Sequence, residues 1–165
     1  MNTTNNRFKN YILPVIIIAV FVFLDQITKY LAVAKLKGQE SFVIIKGVFQ
    51  LHYLENEGAA FGILQNKQIV FTIGAIIIIA VIAFFWIRMP FDKKYIPLRI
   101  CGIFIVAGAI GNMIDRICYN YVVDFFYFEL IDFPVFNVAD IYVTLACIAF
   151  AYLLIFHYKD EDLKF

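Results

Sequence analysis

Charge is what this chain has least of. Of its 165 residues only 16% are Asp, Glu, Lys or Arg, and the net charge is +1. No global field draws in polyanions, so no nucleic-acid partner is expected. Histidine is nearly missing, at two residues. The three cysteines, Cys101, Cys118 and Cys147, are odd in number and show no CxxC spacing, so neither a disulfide framework nor a metal site is expected, and no cofactor. Gly-x-Ser-x-Gly and His-Glu-x-x-His are both absent, which removes two common hydrolytic signatures. No internal repeat and no low-complexity segment is found.

Apolar side chains fill the space that charge leaves. Hydrophobic residues make up 63% and the mean hydropathy is +0.82, against an apolar share of roughly 45–50% in soluble domains. A water-soluble globule of this composition would expose large apolar patches, so the bilayer is the expected solvent. A spanning helix needs ~20 mostly apolar residues, and four windows qualify: 11–34, 69–87, 96–114 and 138–157. The first window follows Arg7 and Lys9 and ends in Ala32-Val33-Ala34, which imitates a cleavable leader. Its apolar stretch is too long for one, and Asp25 and Lys29 interrupt it, so it is expected to be a retained span.

Basic residues in short loops set orientation. The connection between the second and third windows carries Arg88, Lys93, Lys94 and Arg99 against Asp92 alone, so it is expected on the cytoplasmic side, with both termini. Segments 35–68 and 115–137 then face outward. The first contains Ser41 to Leu54, rich in β-branched and aromatic residues with Gly47 as a turn, and reads as short strands forming a small sheet on the membrane. The second is dense in Phe and Tyr, the composition of a headgroup-level loop. The whole chain is expected to form a single membrane-embedded domain. Its class is α-helical and polytopic, with four transmembrane helices, a small extracytoplasmic β-cradle and an outer amphipathic loop or helix.

Ionisable and amide side chains in or beside spans are costly and mark candidate function. With this topology Asp25, Lys29, Asn56, Asn112, Asp115, Arg116, Asp124, Asn137 and Asp140 all fall near the outer face, whereas the inner halves hold no comparable set. Asp25 has Lys29 one helical turn away, and Asp115 has Arg116 beside it. Asp124 and Asp140 have no basic neighbour in sequence. Two unpaired acids brought together in a partly dry site share one proton, which supplies an acid and a base at once. One activates water for attack on a peptide carbonyl while the other polarises that carbonyl and protonates the leaving amine.

Plainer readings stand beside this one. Asp25 and Lys29 can form an i, i+4 pair with a structural or positioning role. Asn137 with Asp140 three residues later is also a helix start, the asparagine capping and the acid complementing the dipole. Asp115 can neutralise Arg116, and an arginine fork suits a peptide carbonyl, a lipid ester or a phosphate. Gly102, Gly108 and Gly111 form a small-residue face suited to close helix packing. Two further functional classes are open: a small ion- or proton-coupled transporter, which would need polar residues on the cytoplasmic side, and a non-catalytic assembly subunit held by the glycine face.

Five stretches carry a family resemblance: Asp25-Gln-Ile-Thr-Lys29, Asn56-Glu-Gly-Ala-Ala-Phe61, Gly108-Ala-Ile-Gly-Asn-Met-Ile-Asp-Arg116, Val122-Val-Asp-Phe125 and Phe136-Asn-Val-Ala-Asp140. In order and spacing the chain resembles the lipoprotein signal peptidases (signal peptidase II). The resemblance implies an aspartic endopeptidase of the bacterial inner membrane that cleaves diacylglyceryl-modified prolipoproteins just before the lipidated cysteine, acting as a monomer among membrane lipids. It implies Asp124 and Asp140 as the catalytic pair and Asn56, Asn112, Arg116 and Asn137 as substrate-positioning residues. Asp25, Lys29, Gly58, Gly108 and Asp115 take supporting places. Two departures are visible. Asn120 and Tyr121 precede Val122 where members often have a glycine, and the segment from Phe126 to Phe133 is unusually aromatic and acidic.

Overall fold

The computed structural model describes residues 8–58 and 68–164. Four long helices carry the fold: α1 (Leu13–Leu36, preceded by one π turn at Phe8–Ile12), α2 (Gln68–Arg88), α3 (Ile96–Tyr119) and α4 (Val138–Tyr152, continued as a π turn to His157). All four are long and apolar enough to cross a bilayer. Between them lie β1 (Phe42–Ile45), β2 (Phe49–Asn56) and β3 (Val122–Tyr127), which form one antiparallel sheet in the order β1-β2-β3.

The helices turn apolar residues outward because lipid, not water, is their solvent. In the most apolar window of α2 nothing is buried, whereas half of that of α3 is. Helix α3 is therefore the centre, touching α1, α2 and α4. Its glycines make the close approaches, each toward a different neighbour. A Cβ on Gly102 would lie 3.3 Å from Ile82 of α2, one on Gly108 2.5 Å from the Ala139 carbonyl of α4, and one on Gly111 2.5 Å from the Asp25 carboxylate of α1. The small-residue face works as expected, admitting backbone where side chains would collide.

At one end of the bundle, Trp86 donates to the Asn10 carbonyl, Tyr158 donates to the Lys94 carbonyl, and Lys94 pairs with Asp162. The start of α1, the α2–α3 connection and the end of the chain thus share one side, as an even number of crossings requires. Arg99 closes this end of α2 by donating to the Met89 carbonyl (2.8 Å) and stacking on Phe91 and Trp86.

The sheet lies at the opposite end. Residues 42–56 form the expected strands, but the aromatic segment does not run as a loop throughout. Helix α3 continues to Tyr119, and β3 follows at once. Asn120 caps the helix in the left-handed conformation (φ 63°), a geometry usually given to glycine and otherwise best tolerated by Asn or Asp. On β3, Val123 and Phe125 pack with Ala32 and Leu36 at the end of α1, so Val122 and Asp124 turn to the other face.

Candidate active site

Asp124 is 1% exposed. Its neighbour across the sheet is set by a register shift: β2 and β3 pair Leu51 with Phe126 but Leu54 with Asp124. That irregularity lies in the two-residue stretch before Leu54, and it puts Asn56, paired with Val122, diagonally beside Asp124 on the same face. The Asp124 carboxylate accepts from the Asn56 amide at Oδ2 (2.7 Å) and from the Asn137 amide at Oδ1 (2.6 Å). Neither amide can be turned round. The Asn56 oxygen accepts from the Gly58 backbone N–H (3.0 Å) and the Asn137 oxygen from that of Asp140 (3.0 Å), and a backbone N–H only donates.

Asp140 enters from α4. Asn137 caps that helix and Asp140 completes a capping box, its Oδ2 accepting from the Asn137 backbone N–H (3.1 Å). The helix-start reading of these two residues is therefore correct, and it leaves Asp140 Oδ1 toward α3, where the Asn112 amide donates to it (2.8 Å). Both carboxylates border one cavity of ≈ 540 Å³, which Asn56, Gly58, Asn112 and Arg116 also line. Apart from Thr144, its remaining wall is apolar, from Phe71 of α2, Val122, residues 133–136 and the α4 residues Ile141 and Leu145. Burial, and then the negative charge of Asp140, push the Asp124 carboxyl up to about 7 against the lowering effect of its two amide donors.

Arg116 is placed differently from the expectation that Asp115 neutralises it. Among the described residues it forms no ion pair; its guanidinium lies 5.0 Å from the centroid of Phe71 and donates to the Asn112 carbonyl at 3.4 Å, and its buried Nε has no hydrogen-bond partner. The partner of Asp115 is Lys29 (3.0 Å), which also pairs with Asp25 (2.9 Å) as its helical spacing suggested. All three are buried behind the cavity. They tie the elements together: Asp25 accepts from the Ala139 backbone N–H of α4 (2.9 Å) and Asp115 from that of Val123 on β3 (3.1 Å).

Gln26 belongs to this group, although it is not among the residues expected from the sequence. Its amide donates to Asp115 (3.0 Å), to the Gly111 carbonyl (3.1 Å) and more weakly to Asp25. An amide inside a span next to Asp25 was the available signal. Phe71 gave none, being one apolar residue in a fully apolar helix. Ala59, Ala60 and Phe61 of the second matched stretch lie outside the described residues. A serine–histidine contact also exists, Ser41 just before β1 with His52 of β2 at 2.9 Å; both residues lie outside the cavity lining, and no carboxylate among the described residues orients the ring.

Comparison with known proteins places the chain in a family. The chain matches the family model described as Signal peptidase (SPase) II over residues 17–156. It is 43% identical over 145 residues to the lipoprotein signal peptidase of Caldanaerobacter subterraneus subsp. tengcongensis, covering 87% of this chain and 97% of that one. To the lipoprotein signal peptidase of Clostridium tetani it is 42% identical over 154 residues, covering 90% and 94%. Two solved structures of a bacterial membrane enzyme, determined by the in meso method at 2.3 and 1.9 Å, superpose with TM-scores of 0.76 and 0.75 at 31% and 32% identity, covering 91% and 90% of this chain and 93% and 96% of theirs. Four spans around a buried polar cluster, matched over nearly their whole length by these proteins, make this chain a multi-pass membrane peptidase belonging to the signal peptidase II family.

Proposed function

We propose that this protein cleaves signal peptides from diacylglyceryl-modified prolipoproteins, just before the lipidated cysteine, with Asp124 and Asp140 as an aspartic pair. The observation that carries the reading is the meeting of two carboxylates at one cavity, each held among the described residues by fixed amide donors rather than by a cation. Asp124, whose carboxyl is raised to about 7, holds the shared proton and polarises the scissile carbonyl. Asp140 takes a proton from the attacking water, and the proton on Asp124 passes to the leaving amine. Arg116, with N–H groups left over at the cavity wall, holds a carbonyl or the ester of the lipid; Asn56, Asn112 and Asn137 position substrate through the carboxylates they orient.

The apolar wall supplied by α2 and α4 suits entry from the bilayer. Acyl chains that stay in the outer leaflet contribute about 0.8 kcal/mol per buried methylene, which lets depth and lipid select the substrate while the signal sequence varies. The enzyme works as a monomer in the bacterial cytoplasmic membrane, both termini inside and the cavity at the outer face. Purified wild type should cleave a diacylglyceryl prolipoprotein and leave the unlipidated precursor intact, while Asp124→Asn and Asp140→Asn should each lower turnover by about a thousandfold or more, the scale seen when a member of an acid–base constellation is removed. Normal turnover in either variant rules out the pair.

A further inference from the structure

The geometry points to Lys29 as a positioning residue that locks the Asn112 amide and, through it, the Asp140 carboxylate; the inference rests on the two-aspartate reading. Lys29 is 3% exposed and its ammonium has three hydrogens. It has three close acceptors to match: Asp25 (2.9 Å), Asp115 (3.0 Å) and Asn112 Oδ1 (2.9 Å), with the Gly111 carbonyl farther away at 3.4 Å. An ammonium has no lone pair, so the Asn112 atom facing it must be the oxygen. The amide nitrogen is thereby directed to Asp140 Oδ1, 2.8 Å away.

Asn137 also reaches Asn112 Oδ1 (3.0 Å), but the same nitrogen makes its shorter bond to Asp124 (2.6 Å) and approaches the Val123 carbonyl. Two amide hydrogens serve three acceptors there, so Lys29 supplies the donor that Asn112 does not have to share. With Lys29 removed, the Asn112 amide can rotate and present its oxygen to Asp140, acceptor against acceptor, which moves the carboxylate off its line to the cavity. Asp25 and Asp115 in turn hold the ammonium in place and anchor it to α4 and β3. The buried ion cluster is therefore part of the alignment of the site as well as of the packing of the bundle.

A double-mutant cycle separates the two roles. Lys29→Met alone would leave two buried carboxylates uncompensated, so the cycle is run in an Asp115→Asn protein, in which adding Lys29→Met restores the wild-type charge of the cluster. With Asn112 present, Lys29→Met should lower kcat about tenfold or more, as small misplacements of catalytic groups do, with KM changed less than about twofold; in an Asn112→Ala background the same step should change kcat less than about twofold. Equal losses in both backgrounds, or no loss with Asn112 present, overturn the proposal. If the Asp115→Asn/Lys29→Met protein does not fold, the wild type carries the test by NMR in micelles: the Asn112 side-chain amide, assigned by its loss in Asn112→Asp, should be protected from hydrogen exchange, and exchange at the rate of a free asparagine overturns the lock. Asp140→Asn is measured alongside. Retained cleavage in that variant defeats the two-aspartate reading, whereas an inactive Asp140→Asn with an additive cycle defeats only the role of Lys29.

Discussion

Asp124 carries two linked consequences of its burial. In the unfolded chain its carboxyl titrates near 3.9, while in the folded protein it is raised to about 7, by burial first and by Asp140 second. Between those values the folded state keeps a proton that the unfolded chain gives up. The stabilisation from this group is thus fully present below about pH 4 and is lost as pH rises through about 7. Thermal unfolding in detergent should show a midpoint falling between about pH 4 and pH 7, and Asp124→Asn should flatten that slope; an unchanged slope in the variant contradicts the assignment. Turnover should fall as pH rises through about 7, because ionised Asp124 has no proton for the leaving amine. The asparagines around it were legible in the sequence as a set near the outer face. Their individual tasks were not, because an amide presents a donor or an acceptor according to what its other end touches, and that partner is a backbone N–H in two cases and Lys29 in the third.

At the scale of elements, helix α3 decides where everything else sits. Gly108 is where α4 comes closest, with the Ala139 carbonyl and the Val143 side chain 2.5 and 2.6 Å from any added Cβ. Gly108→Ala should therefore push the start of α4, with Asp140, away from α3, costing about 1–3 kcal/mol as overpacked cores do and lowering turnover together with stability. Gly74 of α2 faces open space, so Gly74→Ala should be neutral or stabilising by about 0.5–1 kcal/mol. Unfolding and cleavage assays on the pair check this, and equal behaviour of the two variants would count against the packing role. The small-residue stripe told of close packing but not which neighbour each glycine admits, since that depends on three helices distant in sequence. Strand β3 was missed for a related reason. Its run of Val and Phe is buried on both sides, by α1 and by the cavity wall, so it lacks the alternation that marks a strand with one wet face.

For the whole molecule, the four spans bring the polar cluster and the sheet to one end and Asn10, Lys94 and Tyr158 to the other. Cys118 is exposed at the sheet end of α3, Cys147 is exposed halfway along α4, and Cys101 is buried. With the cavity facing outward, a membrane-impermeant maleimide added to intact cells should modify Cys118, while Cys147 lies within the hydrocarbon and should not react. Modification of Cys118 only after the membrane is opened would reverse the orientation.

The sequence by itself determined the solvent, the number of spans, their relative direction and the depth at which polar residues gather. These follow from hydropathy summed over ~20 residues and from the placement of a few basic side chains, both properties of contiguous chain. It also placed Asp124 and Asp140 together as the acids without a basic neighbour, and matched motifs gave that pairing a family context. Only the tertiary structure decided that Asp115 serves Lys29 and leaves Arg116 without an ion pair among the described residues, and that a shifted register brings Asn56 to Asp124. Each of these depends on which donor meets which acceptor across elements far apart in the chain, and such contacts are settled by packing, not by spacing along the chain.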